Sequence, residues 1–293
     1  MRKVRFGSRD SQLAVRQSWL MIEQITRACP EVEPELITMK TLGDKILDRT
    51  LEQIGGKGLF VRELDQALLD RRVDFTIHSL KDLPVELLPE LPLVAFSHRE
   101  DPRDALVLPE GQEELDFSKP IGCSSRRRQL QLKKLYPQAV IAPVRGNVYT
   151  RLAKLDGGRF SALVLAAAGL KRLGLSRRIA QYFSTEEILP AAGQGIIAVQ
   201  GREGADCSWV AAACDPDAAA CARAERAFVR RLDGGCTSPV AAHGRVEDGL
   251  LTLTGLYVNE DETIVRRGSC SGPAADAARM GTSLALQLKG GRL

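Results

Sequence analysis

The sequence predicts an α/β protein built from two α/β units and a small C-terminal α+β unit. Strand-like and helix-like patterns alternate in residues 1–97 and again in residues 98–194, which favours parallel sheets covered by helices. A polar run with a proline, residues 98–104, separates the two units and is interpreted as a linker or hinge. After residue 215 the pattern changes to one helix, three strand-like segments and a final helix.

Hydrophobic periodicity gives the order of the elements. In the first unit we predict strands at 3–6, 35–41 and 73–77 and helices at 11–28 and 59–71, with a flexible glycine loop at 55–58. In the second we predict strands near 105–108, 120–122, 139–144 and 162–165 and helices at 125–136 and 148–155. A strand at 195–200 is expected to return the chain to the first unit. The expected domains are residues 1–97 with 195–214, residues 98–194 and residues 215–293.

Composition excludes several classes of protein. The chain has 293 residues, 44% hydrophobic and 27% charged, and a net charge of +4, as in ordinary globular enzymes. Its basic residues are scattered and only 5% of residues are aromatic, which disfavours a nucleic-acid binder. The N-terminus shows no secretion signal and no apolar stretch is long enough to cross a membrane, so we expect a cytoplasmic protein. Seven cysteines without a C-x-x-C pair, and three distant histidines, predict free thiols and no metal site.

Cations and hydroxyls follow the predicted strands. Because ligands of open parallel sheets bind beyond the carboxyl ends of the strands, this placement predicts a site for an anion, either a carboxylate or a phosphate. The three consecutive arginines at 126–128 stand at a predicted helix start, where cations oppose the helix dipole and stability alone would favour acidic residues. The residues after the strands are Arg9, Ser11, Lys81, Asp82, Ser124, Arg126, Arg127, Arg128, Arg145, Arg151, Lys171 and Arg172.

Two further residues have local patterns with two interpretations each. Asp82 beside Lys81 is either a salt-bridge partner or an ionised carboxylate that stabilises a positive intermediate or moves a proton. Cys236 follows two glycines in a tight loop and is either incidental or a nucleophile or attachment point. His78, Ser79 and Asp82 are too close in sequence to form a hydrolase triad.

Nine motifs, in order along the chain, resemble those of the porphobilinogen deaminase (hydroxymethylbilane synthase) family. They are GSRDSQLA (7–14), GGKGLF (55–60), HSLKDLP (78–84), REDPRD (99–104), SSRRR (124–128), RGNV (145–148), LAAAGLKR (165–172), LPAAGQG (189–195) and GGC (234–236). The resemblance implies three domains, of which the first two are similar to periplasmic binding proteins. It also implies a dipyrromethane cofactor joined by a thioether to Cys236, and the stepwise condensation of four porphobilinogen molecules, with loss of ammonia, to linear hydroxymethylbilane in tetrapyrrole biosynthesis.

The same resemblance assigns roles to individual residues. Asp82 would be the catalytic carboxylate, Lys57 would lie in a loop over the cleft, and no metal is implied. The residues implied to bind the cofactor are Cys236, Lys81, Asp82, Ser124, Arg127, Arg128, Arg145 and Gly146. The residues implied to bind substrate are Arg9, Ser11, Arg145, Arg151, Arg172 and Gln194. A monomer is expected. Cys123, Arg126 and Ser238 depart from the usual family residues, which puts local packing and affinity in question rather than the activity.

Two alternatives to the enzyme stay open on the sequence. The first is a non-enzymatic protein of similar fold that binds small anions. Such a binder has little use for the carboxylate of Asp82 in its cleft or for a modified thiol at Cys236. The second is an arginine-rich nucleic-acid binder, which would bind DNA or RNA with a steep dependence on salt.

Overall fold

Three β-sheets organise the protein in the computed structural model, which describes residues 1–41, 43, 61–233 and 239–290. The strands are Arg2–Arg9 (β1), Val32–Met39 (β2), Phe75–Ser79 (β3), Leu93–Phe96 (β4), Asp104–Val107 (β5), Ile121–Gly122 (β6), Ile141–Ala142 (β7), Ala162–Ala166 (β8), Gln181–Tyr182 (β9), Ile197–Gln200 (β10), Ala241–Glu247 (β11), Leu250–Val258 (β12) and Val265–Pro273 (β13). The α-helices are Gln12–Ala28 (α1), Arg62–Leu69 (α2), Arg126–Leu135 (α3), Val148–Asp156 (α4), Ala167–Arg172 (α5), Ser208–Ala211 (α6), Pro216–Arg231 (α7) and Ala277–Gly290 (α8).

The first two sheets are mixed, not parallel as the sequence predicted. The first has the order β2-β1-β3-β10-β4, and β10 runs antiparallel to both of its neighbours. The second has the order β7-β6-β8-β5-β9, and β5 runs antiparallel to both of its neighbours. A parallel neighbour needs a crossover connection, usually a helix, whereas β5 and β10 are each entered by a segment without a helix that arrives from the other sheet. The prediction that 195–200 returns to the first unit is confirmed by the pairing of β10.

Local signals explain where the main helices begin. The Ser11 hydroxyl accepts a hydrogen bond from the Ala14 amide at 3.3 Å and so caps α1. The Asn147 side chain caps α4 through the Thr150 amide at 2.9 Å. Asp215 caps α7 through the Ala218 amide at 2.8 Å. These caps place the helix starts close to the predicted positions, directly beyond the strands that precede α1 and α4.

The third sheet is antiparallel, in the order β11-β12-β13, and packs on α7 and α8. This confirms the predicted small α+β unit. The first sheet draws its strands from residues 2–96 and 197–200, the second from 104–182 and the third from 241–273. The exact domain limits expected from the sequence stay predictions. Within the described ranges, no helix is long and apolar enough to cross a membrane.

His78 is a buried histidine of the first sheet. Its side chain stands on β3, and its Nε2 lies 2.8 Å from the Thr76 hydroxyl. Burial, helped by the charge of Arg9, lowers the pKa of His78 to about 3. The ring is therefore neutral near pH 7 and contributes a hydrogen bond to the sheet rather than acid–base chemistry.

We expect the free energy of unfolding to fall as the pH drops from 6.5 toward 3, because the unfolded chain protonates His78 near 6.5 and the folded chain only near 3. The variant His78→Gln keeps a polar partner for Thr76 and should lose roughly 2 kcal/mol of this pH dependence between about pH 7 and about pH 4.5. Urea unfolding at the two pH values measures it. If the free energy of unfolding changed equally with pH in the variant and in the parent protein, the lowered pKa of His78 would be contradicted.

Candidate active site

A cleft opens where β1 and β3 end. The two strands are parallel neighbours, so their carboxyl ends lie at the same edge of the sheet. Arg9 is the last residue of β1, Ser11 caps the following helix, and Asp82 lies on the 3₁₀ turn Leu80–Asp82 directly after β3. All three line this cleft, whose volume is about 430 Å³ including its open side. The predicted meeting of these residues at one sheet edge is what the structure shows.

The floor of the cleft is polar. The Ser79 hydroxyl donates to the Gln17 side chain at 2.8 Å, which ties the end of β3 to α1. Below it the Ser18 hydroxyl donates to the Ser8 hydroxyl at 2.8 Å. These bonds satisfy buried polar groups within the protein, so the position of the turn that carries Asp82 is fixed on the side of β1 and α1.

A buried ion cluster stands at the start of α3. The Arg127 Nη1 lies 2.8 Å from Oδ2 of Asp104, and the Arg128 Nη2 lies 2.7 Å from Oδ1 of the same carboxylate. Asp104 is fully buried, and the two arginines are 4% and 8% exposed. Burial by itself would raise the pKa of Asp104, but the two guanidinium groups hold it well below its usual range. Asp104 is therefore ionised at every physiological pH.

Gln194 links this cluster to the turn of Asp82. Its Nε2 donates to Asp104 Oδ1 at 2.8 Å and to the Pro102 carbonyl at 2.7 Å. Its Oε1 accepts hydrogen bonds from the Lys81 ammonium at 3.4 Å and, more weakly, from the Arg128 Nη2 at 3.5 Å. The side chain has no exposed surface, so its amide joins groups of the site to one another.

Lys81 adds an ammonium group that loses its proton more readily than that of an ordinary lysine. Burial lowers its pKa to about 8, while the neighbouring charge of Asp82 opposes this shift and that of Arg128 adds to it. Lys81 lies on the same turn as Asp82, and its hydrogen bond to Gln194 connects that turn to Asp104 of the arginine cluster. An anion beside Lys81 would favour the charged ammonium again.

The loop after β7 and the following helix α4 add two more cations, Arg145 and Arg151. Gly146 has a φ of +115°, a conformation that a side chain disfavours, and its carbonyl accepts from the Arg151 Nε at 2.8 Å. Burial and the charge of Arg128 lower the pKa of Arg151 to about 10. Burial also lowers the pKa of Arg145. Both guanidinium groups have thus lost part of their hydration.

The cluster holds more positive than negative charge. Among the residues that the structure describes, the carboxylates of Asp82 and Asp104 are outnumbered by five cations, and the charge of Asp82 acts on Lys81, Arg128 and Arg151. The cations are Lys81, Arg127, Arg128, Arg145 and Arg151. A ligand with several carboxylates would balance this excess, so the donor set fits the acidic side chains of a dipyrromethane.

Three residues of the predicted anion site are engaged elsewhere. Arg126, first of the three arginines, bonds Glu262 of the third sheet at 2.8 Å, so only Arg127 and Arg128 join the cluster. The Ser124 hydroxyl donates to the Val144 carbonyl at 2.8 Å and accepts from the Val144 amide at 2.9 Å. The Arg172 Nη2 donates to the Gly195 carbonyl at 2.6 Å. The reason is local geometry: each side chain has a backbone or acidic partner within reach.

Asp104, the centre of the cluster, was not predicted as a site residue. From the sequence it was only the last residue of the predicted hinge at 98–104. The available signal was an acidic residue directly before an apolar strand, Ala105–Val107, where a lone carboxylate would not be buried. Lys57 and Cys236 lie outside the described residues. Within the described part of the chain, no group of three or more His, Cys, Asp or Glu could hold a metal ion.

Comparison with protein families covers almost the whole chain. Residues 4–208 match the porphobilinogen deaminase, dipyromethane cofactor binding domain, and residues 219–290 match the porphobilinogen deaminase C-terminal domain. Some solved structures of periplasmic binding proteins are also similar. An arginine-specific one from Salmonella typhimurium gives a TM-score of 0.41 and 15% identity, covering 75% of this chain and 94% of that chain.

Curated relatives agree with the family models. The porphobilinogen deaminase of Alkaliphilus oremlandii is 56% identical over 288 residues, which cover 98% of this chain and 97% of the relative. That of Acetivibrio thermocellus is 54% identical over 286 residues, covering 98% of both chains. That of Chromobacterium violaceum is 46% identical, covering 98% of this chain and 94% of the relative. The chain belongs to the porphobilinogen deaminase family.

Proposed function

We propose that the cleft joins four porphobilinogen molecules head to tail and that water then releases linear hydroxymethylbilane. Each condensation breaks the bond from carbon to the leaving amine and forms a carbon–carbon bond to the next pyrrole ring. The protonated amine leaves as ammonia and a cationic ring remains. The next pyrrole attacks this cation, and its attacked carbon then loses a proton, so that each bond formed releases one ammonia and one proton. The observation that carries the proposal is the carboxylate of Asp82, which lines the described part of the cleft and acts on the neighbouring cation Lys81.

Asp82 is the proposed catalytic residue. Its carboxylate lines the cleft, on a turn held by β3 and by Leu80, which is 1% exposed. As ammonia leaves, positive charge develops on the pyrrole ring, and a fixed carboxylate stabilises that charge more effectively than water does. The same oxygens can accept hydrogen bonds from pyrrole N–H groups and take up the proton that the attacked ring loses.

The surplus of cations supports a role in holding carboxylates. We propose that the dipyrromethane, attached to Cys236, lies against the arginine cluster. The residues proposed to hold it are Lys81, Asp82, Arg127, Arg128, Arg145 and Gly146. Ser124, which the resemblance also assigned to the cofactor, already donates its hydroxyl proton to the Val144 carbonyl. When bound, the dipyrromethane supplies the pyrrole ring to which the first substrate is joined. Arginine suits this task because its planar fork pairs with a carboxylate through two hydrogen bonds.

For the incoming substrate we propose Arg9 and Ser11 on one side of the cleft and Arg145, Arg151 and Arg172 on the other. Arg9 and Ser11 line the cleft, and burial lowers the pKa of Arg172, as of Arg151, to about 10. The resemblance also assigned Gln194 to the substrate. Its complete burial favours a positioning role through Lys81 and Asp104.

The comparisons do not support the alternative of a non-enzymatic anion binder, because the chain belongs to a family of enzymes. The cation cluster suits it, but a carboxylate at the mouth of an anion site would repel the ligand, so Asp82 favours the enzyme. The monomeric state and the cytoplasmic location stay predictions. Turnover of purified protein with porphobilinogen separates the two candidates, because the enzyme releases ammonia and a binder releases none.

The variant Asp82→Asn should fold normally and lose at least about 100-fold in kcat, because the developing positive charge loses its counter-charge and its proton acceptor. Steady-state release of ammonia measures the loss. Asp10→Asn, which removes a carboxylate after β1 that does not line the cleft, is the matched control and should retain activity. Near-normal turnover in Asp82→Asn would disprove the role.

The variant Cys236→Ser should remain unmodified and inactive, because a hydroxyl is a far weaker nucleophile than a thiol near neutral pH. Intact mass and peptide mapping measure the attachment. The parent protein should carry two porphobilinogen units less two ammonia on the peptide with Cys236, and Cys270→Ser should carry the same. A fully loaded Cys236→Ser protein would move the attachment to another residue.

A further inference from the structure

The chain directly after Asp82 is held by an arginine of the third unit. The Nη2 of Arg226, on α7, donates to the Pro84 carbonyl at 2.9 Å and to the Val85 carbonyl at 2.8 Å. Both carbonyls come within three residues of Asp82 in the sequence. A charged donor shared by two neighbouring carbonyls fixes the direction of the backbone between them.

Apolar contacts place the same segment on α7. Leu80 and Leu83, on either side of Asp82, belong to one buried cluster with Ala218, Ala219 and Ala222 of the helix. Val85 packs against the core of the third unit. Contacts between leucines and alanines are not directional and permit sliding. The hydrogen bonds of Arg226 are directional, and they fix the position of the turn along α7.

The helix α7 is itself firmly placed. Glu225, next to Arg226, is fully buried and accepts hydrogen bonds from the Gly193 amide at 2.6 Å and from the Gly244 amide at 2.7 Å. It also pairs with Arg99 at 2.5 Å. Arg226 therefore lies on a helix whose position is fixed, and its two hydrogen bonds hold the turn of Asp82 at a defined position relative to that helix.

We propose that Arg226 is a positioning residue for the condensation, which sets the place of the Asp82 carboxylate through the carbonyls of Pro84 and Val85. The inference rests on the proposed role of Asp82. Arg226 contributes to the rate of the chemical step and not to substrate affinity, because the cations proposed to bind substrate lie on other elements.

The matched control is Arg230, one turn further along α7. Its Nη2 reaches the Val85 carbonyl only at 3.3 Å, and its Nε pairs with Glu86 at 3.0 Å. The two side chains of that pair are 56% and 64% exposed, so solvent weakens it. Loss of Arg230 should leave the turn in place.

The test compares Arg226→Met, Arg226→Lys and Arg230→Met with the parent protein, all as cofactor-loaded full chains. Methionine retains the apolar stem and removes the donors. We expect Arg226→Met to lose about 10-fold or more in kcat per loaded molecule, with KM for porphobilinogen changed less than about twofold. Lysine can still donate to both carbonyls and should restore part of the rate. Arg230→Met should match the parent protein.

Amide hydrogen exchange supplies a second readout, because it follows position without turnover. Exchange in residues 82–86 should accelerate in Arg226→Met and remain unchanged in Arg230→Met. If Arg226→Met folds poorly, Arg226→Lys is measured per loaded molecule and should show a smaller fall in kcat with the same KM.

Three outcomes would overturn the inference. The first is an unchanged kcat in loaded Arg226→Met. The second is a raised KM with normal kcat, which would assign Arg226 to substrate binding. The third is an equal fall in Arg230→Met. A parent protein that converts no porphobilinogen would instead overturn the proposed function, and this inference with it. Activity in the parent protein together with full activity in Arg226→Met would reject the positioning role alone.

Discussion

The buried carboxylate of Asp104 is the interaction on which the site depends. Two arginines that begin a helix would repel each other and the helix dipole if they were buried without a counter-charge. Asp104 lies 2.8 Å from Arg127 and 2.7 Å from Arg128 and makes their burial possible. Because it stands at the first residue of β5, it also ties the start of α3 to the second sheet, so the two cations are held in place before any ligand arrives.

The remaining cations follow from that arrangement. Among the described residues, the two carboxylates of Asp104 and Asp82 are fewer than the five cations of the cluster, and burial has already removed part of the water around Lys81, Arg145 and Arg151. Burial is the main cause that lowers the pKa of Lys81 to about 8, and the charge of Arg128 adds to it. An anion bound beside these cations would favour their charged forms. The acetate and propionate side chains that the family resemblance implies for substrate and cofactor would supply such anions.

A second buried carboxylate, Glu225, connects the three sheets. It pairs with Arg99 in the segment between β4 and β5, with the Gly193 amide before β10, and with the Gly244 amide of β11. Both segments that pass between the first two sheets are therefore attached to α7. The turn of Asp82 rests on the same helix through Arg226 and two leucines. Movement of the first two units relative to each other would pivot on this junction.

Most strands and helices, the small C-terminal unit, and the positions of Arg9, Lys81 and Asp82 at the ends of strands could be predicted from the sequence, because periodicity and helix caps act between neighbouring residues. The short elements β4, β9, α5 and α6 were not predicted. The antiparallel direction of β5 and β10, the engagement of Arg126 with Glu262, and the partners Asp104, Gln194, Glu225 and Arg226 became visible only in the folded chain. These contacts join residues 24 positions apart for Asp104 and Arg128, 126 for Arg99 and Glu225, and 142 for Pro84 and Arg226. A local pattern cannot encode such pairs, because their energy arises only when distant segments are buried together and each buried charge must find a partner.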